Sequence, residues 1–387
     1  MRKLALCASL TVLALAPGAS ARPQAKAPGV LLSKSYLGVY RLGPSGGLQR
    51  LVGKDIHPLA VAADGTAAGI RASDRNQNGP LFLASGTRRV ELPHSTGGVP
   101  CVAFSADGSK VAYITGKVTL TQPSPNLDYF RIDGTLWLAD VAHPDEARAI
   151  ETGIFVTSEC PLPAPTGERF AYVIRAASDV WKLRVYRSGS VGTVAEEQAP
   201  VTSNHDRSFA WAPNGTLAFI RGDELWATGR RIATDLTSTL GPRPNIRYGR
   251  AIDFSSDGRL IAVSLGQNTA IFRLGGKLVR IVPGHLIEWS GSKGVLTIGV
   301  ARQTIIVLRR FPFAGPGRIM ARFFKLPLVS DPAGRWFAYP VAQAGQFVFR
   351  RADGSVIRTR LLWIRSIGVP LAAVDRSGRL SVPAGSY

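Results

Sequence analysis

The chain has 387 residues, 45% hydrophobic and 19% charged, which excludes an intrinsically disordered protein. Its 41 Gly and 26 Pro disfavour long helices and favour many turns. Lys and Arg exceed Asp and Glu by 21, and three Cys are too few for a disulfide framework or a Cys-rich metal site.

The first element is a leader. Arg2 and Lys3 precede an apolar run from Leu4 to Ala16, and Ala19-Ser20-Ala21 supplies an A-x-A cleavage site before Arg22. This order is that of a secretory signal peptide, predicted over 1–21, and the run is short for a span of about 30 Å of hydrocarbon. No later stretch reaches the length of a membrane helix. Residues 22–34 read as a flexible linker, and 35–387 as one domain, secreted or retained in the periplasm or envelope.

That domain is a repeat. FSADGSKVAYI at 104–114 returns as APTGERFAYVI at 164–174, WAPNGTLAFI at 211–220, FSSDGRLIAVS at 254–264 and DPAGRWFAYPV at 331–341. Weaker copies stand at 61–70, 289–298 and 374–382. Each reads as strand, two-residue turn, strand. The turn pairs include Asp64-Gly65, Asp107-Gly108, Asn214-Gly215 and Asp257-Gly258, as expected if Gly, Asn or Asp take positive φ there. The turns are 43, 59, 48, 43, 35, 41 and 44 residues apart, the length of a four-stranded propeller blade. Further strands follow each hairpin, among them GPLFLAS (79–85), GTLWLADV (134–141), DVWKLRVY (179–186) and DELWATG (223–229). Residues 36–52 read as the outer two strands of a blade, and 369–383 as the inner two. Pairing them would close the ring and remove an exposed edge. The fold class is all-β, a β-propeller of eight four-stranded blades, with seven as the alternative if the copy at 289–298 joins a neighbour.

The repeat resembles that of the TolB-like β-propellers, an aromatic-S-P-D-G pattern followed by a hydrophobic strand and then Leu-Trp. The match lies in Phe104–Tyr113, Trp211–Phe219, Phe254–Val263 and Gly334–Tyr339, with Leu136-Trp137 and Leu225-Trp226 supplying the later part. An insertion near 116–133 departs from the pattern. The resemblance covers nearly all of the mature chain and implies a protein- or envelope-binding role. The architecture hosts unrelated functions, so it implies no particular activity.

Seven residues before the turns, near the start of each innermost strand, stand His57, Glu159, Arg207, Arg250 and His285 among others. That register should ring one mouth of the central channel. The set suits an anion, and it also suits a solvated rim. Cys101 and Cys160 fall six residues before consecutive turns, at matching heights on neighbouring blades. Export favours a disulfide between them, although equivalent positions in a ring point the same way. Asp74, Asn76 and Asn78 match the first half of a calcium loop, but Ser85 stands where the twelfth-position acid belongs. The same residues serve as a polar turn, and no cofactor is expected. Gly43-Pro44-Ser45-Gly46-Gly47 copies a nucleophile elbow without the strand-turn-helix setting that motif needs.

Charge is uneven. Residues 22–199 carry a net +3 and residues 200–387 a net +16, with pairs such as Arg230-Arg231, Arg309-Arg310 and Arg350-Arg351. A field of that sign draws anionic partners. The expected function is therefore an exported, monomeric, non-enzymatic scaffold for a protein or an anionic envelope polymer, with nucleic acid not expected. The alternative is a polysaccharide lyase, hydrolase or lactonase at the channel mouth, using His57, His285, Asp253 and Glu288. A third reading is a peptidase-type propeller that has lost its hydrolase domain.

Overall fold

The computed structural model describes residues 29–34, 37–43, 47–73, 79–96, 101–124, 127–156, 160–177, 180–197, 207–227, 229–241, 251–265, 267–292, 294–301, 305–322, 328–341, 346–361, 368–374, 377 and 379–381. The leader, Glu159, Arg250, the Asp74–Asn78 run and the Ser45 turn lie outside them.

The described strands form a β-propeller. Four-stranded antiparallel units follow one another along the chain, each running from an inner to an outer strand. The first unit comprises Ile56–Val61, Ala67–Arg71, Phe82–Ser85 and Arg88–Glu91. The second comprises Cys101–Phe104, Lys110–Ser124, Leu127–Asp140 and Arg148–Val156. The third comprises Leu162–Pro163, Arg169–Ala177, Val180–Arg187 and Ser190–Glu197. The fourth is Phe209–Trp211, Leu217–Arg221, Glu224–Ala227 and Arg230–Ala233, followed by the five-residue helix Leu236–Leu240. The fifth is Ile252–Phe254, Leu260–Val263, Asn268–Arg273 and Leu278–Pro283. The sixth is His285–Trp289, Gly294–Ala301, Ile305–Pro312 and Arg318–Arg322. The seventh is Val329–Ser330, Trp336–Val341, Gln346–Arg351 and Val356–Leu361. The second and third units share one eight-stranded sheet, because Ile154 and Phe155 pair with Arg175 and Ile174. Counted as two units, they bring the set to eight with the closing unit.

The ring closes differently from the sequence expectation. Gly368–Val374 is the inner strand of the closing unit, and Gly29–Lys34 pairs directly with it. Leu37–Leu42 and Leu48–Val52 follow outward. Three strands from the start of the chain therefore meet two from its end, where two and two were expected. Residues 29–34 belong to a strand and not to the linker. The reason is in their composition: Val30, Leu31 and Leu32 are all buried, on a segment that a linker reading leaves in water. Leu380–Ser381, expected as the second strand, is a two-residue pairing on the other side of Gly368–Val374.

Period-two alternation makes the core. Both faces of every sheet are covered, so successive residues of one strand enter different hydrophobic layers. Leu31 packs with Val61 and Phe82 of the first unit, while Val30 and Leu32 pack with Trp336 and Phe347 of the seventh. Eight such clusters occur among the described residues, each between two consecutive units. The cluster of Val30 and Leu32 links the seventh unit to the closing one, so the series has no open end.

The repeated turns differ in detail from the two-residue hairpins expected. The Gly65 N–H donates to Ala62 O at 3.0 Å, and Ala62 N–H donates to Thr66 O at 2.8 Å, leaving three residues in the loop. Around Asp107 and Asp257 the loops are one residue longer, closed by Ser105 to Lys110 and by Ser255 to Leu260. Gly takes the positive φ (97° at Gly65, 75° at Gly108), whereas the preceding Asp does not. The Asp acts as an acceptor instead: Asp64 Oδ1 receives Thr66 N–H at 2.8 Å, and Asp107 Oδ1 receives Ser109 N–H at 3.0 Å. A side-chain carboxylate that caps the turn two residues on explains the Asp-Gly pair without a strained Asp.

The insertion near 116–133 lengthens the second hairpin. Lys110–Ser124 and Leu127–Asp140 stay paired from Lys110–Asp140 to Ser124–Leu127, well past the ordinary blade length. Gly116 and Gly134 face each other, and a Cβ on Gly134 would lie 1.9 Å from Thr115 O. Only glycine permits that approach.

Candidate functional site

The inner strands begin at the face expected to carry the channel mouth, and three of the five mouth residues are described there. They are not equivalent. His285 opens its strand, is 2% exposed, and lies 2.9 Å through Nδ1 from Ser264 Oγ of the fifth unit. It is a bond between units, so His285 is not a solvated rim residue. The cause is that the inner strand is flanked by two neighbouring sheets, so a side chain directed along either of them is covered.

His57 is half-buried in the first unit, and burial pushes its imidazole below the usual histidine range. Its carbonyl lies against Gly69, where an added Cβ would sit 2.3 Å away, so the second strand can approach only as glycine. Arg207 is half-buried, with its guanidinium carbon 5.5 Å from the centre of the Phe209 ring, a cation–π arrangement. His57, Arg207 and His285 thus belong to three different units. Glu159 and Arg250 lie outside the described residues.

The acids suspected of catalysis are occupied as strand residues. Asp253 is buried, and its Oδ1 accepts the Phe254 N–H at 2.9 Å. Glu288 is buried, with Oε1 3.3 Å from the Trp289 N–H. Among the described residues no group of three or more His, Cys, Asp or Glu is arranged to hold a metal ion.

Cys101 and Cys160, 59 positions apart in sequence, form a disulfide with Cα atoms 5.4 Å apart. Cys101 starts an inner strand. Cys160 precedes the two-residue strand Leu162–Pro163 and is outside the ladder. The objection that equivalent positions point alike falls away, since only one of the two is held in strand register. The same interface carries Tyr172 OH donating to Glu151 Oε2 at 2.6 Å, with Arg184 Nη2 3.0 Å from the other carboxylate oxygen. Burial first, then the Glu151 hydrogen bond, pushes the Tyr172 phenol far above its ordinary range. Arg148 donates to Tyr186 OH across the same pair of units.

Sequence reasoning missed how the arginines are spent. Adjacent residues on a strand point to opposite sides, so the members of an Arg pair meet different neighbours. Arg231 bonds Glu224 at 2.8 Å, and both it and Arg230 are exposed. Arg310 donates to Ala352 O at 2.6 Å and Ser290 Oγ at 2.9 Å, tying the sixth unit to the seventh. Burial lowers its pKa, and the Asp353 charge opposes that. Arg350 donates to Tyr339 OH, Gly354 O and Met320 O, while Arg351 is exposed. Arg41 of the closing unit reaches Ala63 O at 3.3 Å in the first. Part of the excess positive charge is therefore used to satisfy turn carbonyls between units, a role no spacing in the sequence announces.

No helix among the described residues is long and apolar enough to cross a membrane. No protein-family model matches the chain, and no curated protein matches it. Among solved structures, Sqt1 from Chaetomium thermophilum is 13% identical, with 89% of this chain and 90% of that chain covered and a TM-score of 0.50. A chain of a mitotic checkpoint complex is 14% identical over 87% and 96%, with a TM-score of 0.47. A eukaryotic initiation factor is 11% identical over 89% and 99%, also at 0.47. Similarity at this identity concerns the fold alone. It agrees with a WD-like β-propeller and does not single out the TolB-like group within that architecture.

Proposed function

We propose that the chain is an exported eight-bladed propeller that acts as a binding scaffold and carries out no chemistry of its own. Its partner is a protein or an anionic polymer of the cell envelope, met at the channel mouth and the loops around it. The observation that carries this reading is that three of the four suspected reactive groups are tied into the fold. His285 holds Ser264, while Asp253 and Glu288 receive amides of their own strands. The described residues from 29 to 381 are otherwise taken up by blades. A rigid disc whose loops are free to vary is what a scaffold requires.

Export is supported by the leader pattern in 1–21 and is consistent with the Cys101–Cys160 disulfide, since such bonds persist in oxidising compartments. An anionic partner is supported by the net +16 of residues 200–387. The disc acts as a monomer. The test is capture from a native envelope fraction on immobilised mature chain, at low and at high salt. Capture should fall at high salt and in the Arg207→Ala, Arg250→Ala double variant. Unchanged capture by that variant sinks the mouth as the contact.

A further inference from the structure

The rim of the disc is formed by the outermost strand of each unit, and, except on the second unit, whose outermost strand pairs with the third unit, its far edge has no neighbour in its own sheet. Such edges are usually guarded by charge. On the first three units the outermost strands carry acids, Glu91, Glu151, Glu196 and Glu197 among them, and that of the fourth, Arg230–Ala233, is basic but exposes no large hydrophobic side chain. The next four in the ring are Leu278–Pro283, Arg318–Arg322, Val356–Leu361 and Leu48–Val52. None of them contains an acid, and every one contains Arg. The same four strands hold six of the eight exposed large hydrophobic side chains among the described residues: Leu48, Leu278, Val279, Ile281, Ile319 and Val356. Coincidence of the two features on one half of the ring is what calls for an explanation.

The cations stand beside the apolar side chains. Arg318 and Arg322 are exposed on either side of Ile319, and Arg50 is exposed two residues from Leu48. On Leu278–Pro283 the sole charge, Arg280, is turned aside to the carbonyls of Pro312 at 2.6 Å and Gly315 at 2.8 Å. Val279 and Ile281 are left on that edge without a charge from their own strand in front of them.

We propose that this half of the rim docks on an anionic lipid bilayer, with the disc standing edge-on; the proposal rests on the exported-scaffold reading. Branched aliphatic side chains gain by leaving water for the acyl boundary, and Arg keeps its guanidinium among the phosphates while its stem follows them. Either element alone gives marginal attachment, whereas together they hold a peripheral protein at an anionic surface. A second copy of this chain is a poor occupant, because pairing two such rims sets Arg against Arg. Edge-on docking leaves the channel mouth open to solvent, so the mouth partner and the bilayer can be held at once.

The experiment is flotation of the mature chain with phosphatidylcholine vesicles and with the same vesicles containing phosphatidylglycerol. The chain floats with the anionic vesicles and is released by high salt. Arg318→Glu with Arg322→Glu weakens binding by more than about tenfold, since each basic residue near such a surface contributes roughly fivefold. Ile281→Ser with Ile319→Ser weakens it even at low salt. Arg221→Glu with Arg230→Glu, exposed on the fourth unit and matched in charge, leaves it intact. Circular dichroism of every variant confirms folding. Absence of flotation with anionic vesicles, or equal loss in the two Arg pairs, overturns the proposal. The Arg207→Ala, Arg250→Ala variant keeps its flotation, so failure at the mouth and failure at the rim are read separately.

Discussion

Replacing both Cys101 and Cys160 by Ala removes the one covalent tie between the inner edges of the second and third units. The bond closes a loop across 59 positions, and its removal from the unfolded-state constraint costs about 4 kcal/mol in the loop-entropy model. The unfolding entropy of a chain of this length, at about 2 cal/mol/K per residue, turns that loss into a fall in Tm of about 5 °C. Both residues are fully buried, so packing changes as well. Three melts separate the effects, followed by circular dichroism: oxidised wild type, wild type reduced with a phosphine, and the double variant. Oxidised against reduced wild type reads the cross-link, and reduced wild type against the variant reads the lost sulfur atoms. A Tm that does not move on reduction, with both thiols titrating as free before it, would refute the reasoning. It would mean that Cys160, outside the strand ladder, does not turn toward Cys101.

Three further outcomes follow from the geometry. Leu32→Ala opens a void between the closing and seventh units and should cost 2–5 kcal/mol or so in urea denaturation, a size a linker residue could not produce. Arg310→Met leaves Ala352 O and Ser290 Oγ without their half-buried cation, and a loss of about 1.5–3 kcal/mol is expected, whereas Arg351→Met at its exposed position should change little. His57 has a folded pKa below its unfolded one, so the unfolded chain binds the proton more readily. Stability therefore falls as pH drops from the ordinary imidazole value, near 6.5, towards the lower folded value, and His57→Gln should flatten that acid limb in a pH series of melts. Equal slopes in variant and wild type would remove burial as the cause.

The repeat was legible because its cause is local. A Gly at positive φ and an Asp or Asn that accepts the amide two residues on recur wherever a hairpin must turn, and alternating apolar residues follow wherever a strand is covered on both faces. Those signals gave the all-β propeller and the position of each inner strand. They also brought Cys101 and Cys160 to neighbouring units. The partners of particular side chains were decided elsewhere. His285 on Ser264, Arg310 on Ala352 and Tyr172 on Glu151 are meetings between units 21 to 42 residues apart in sequence, and no period predicts which side of a strand faces which neighbour. Closure was half visible for the same reason: the need for an end-to-end seam follows from the free edge, but the choice of Gly29–Lys34 as the strand beside Gly368–Val374 depends on Val30, Leu31 and Leu32 finding two hydrophobic layers that exist only once the ring has formed.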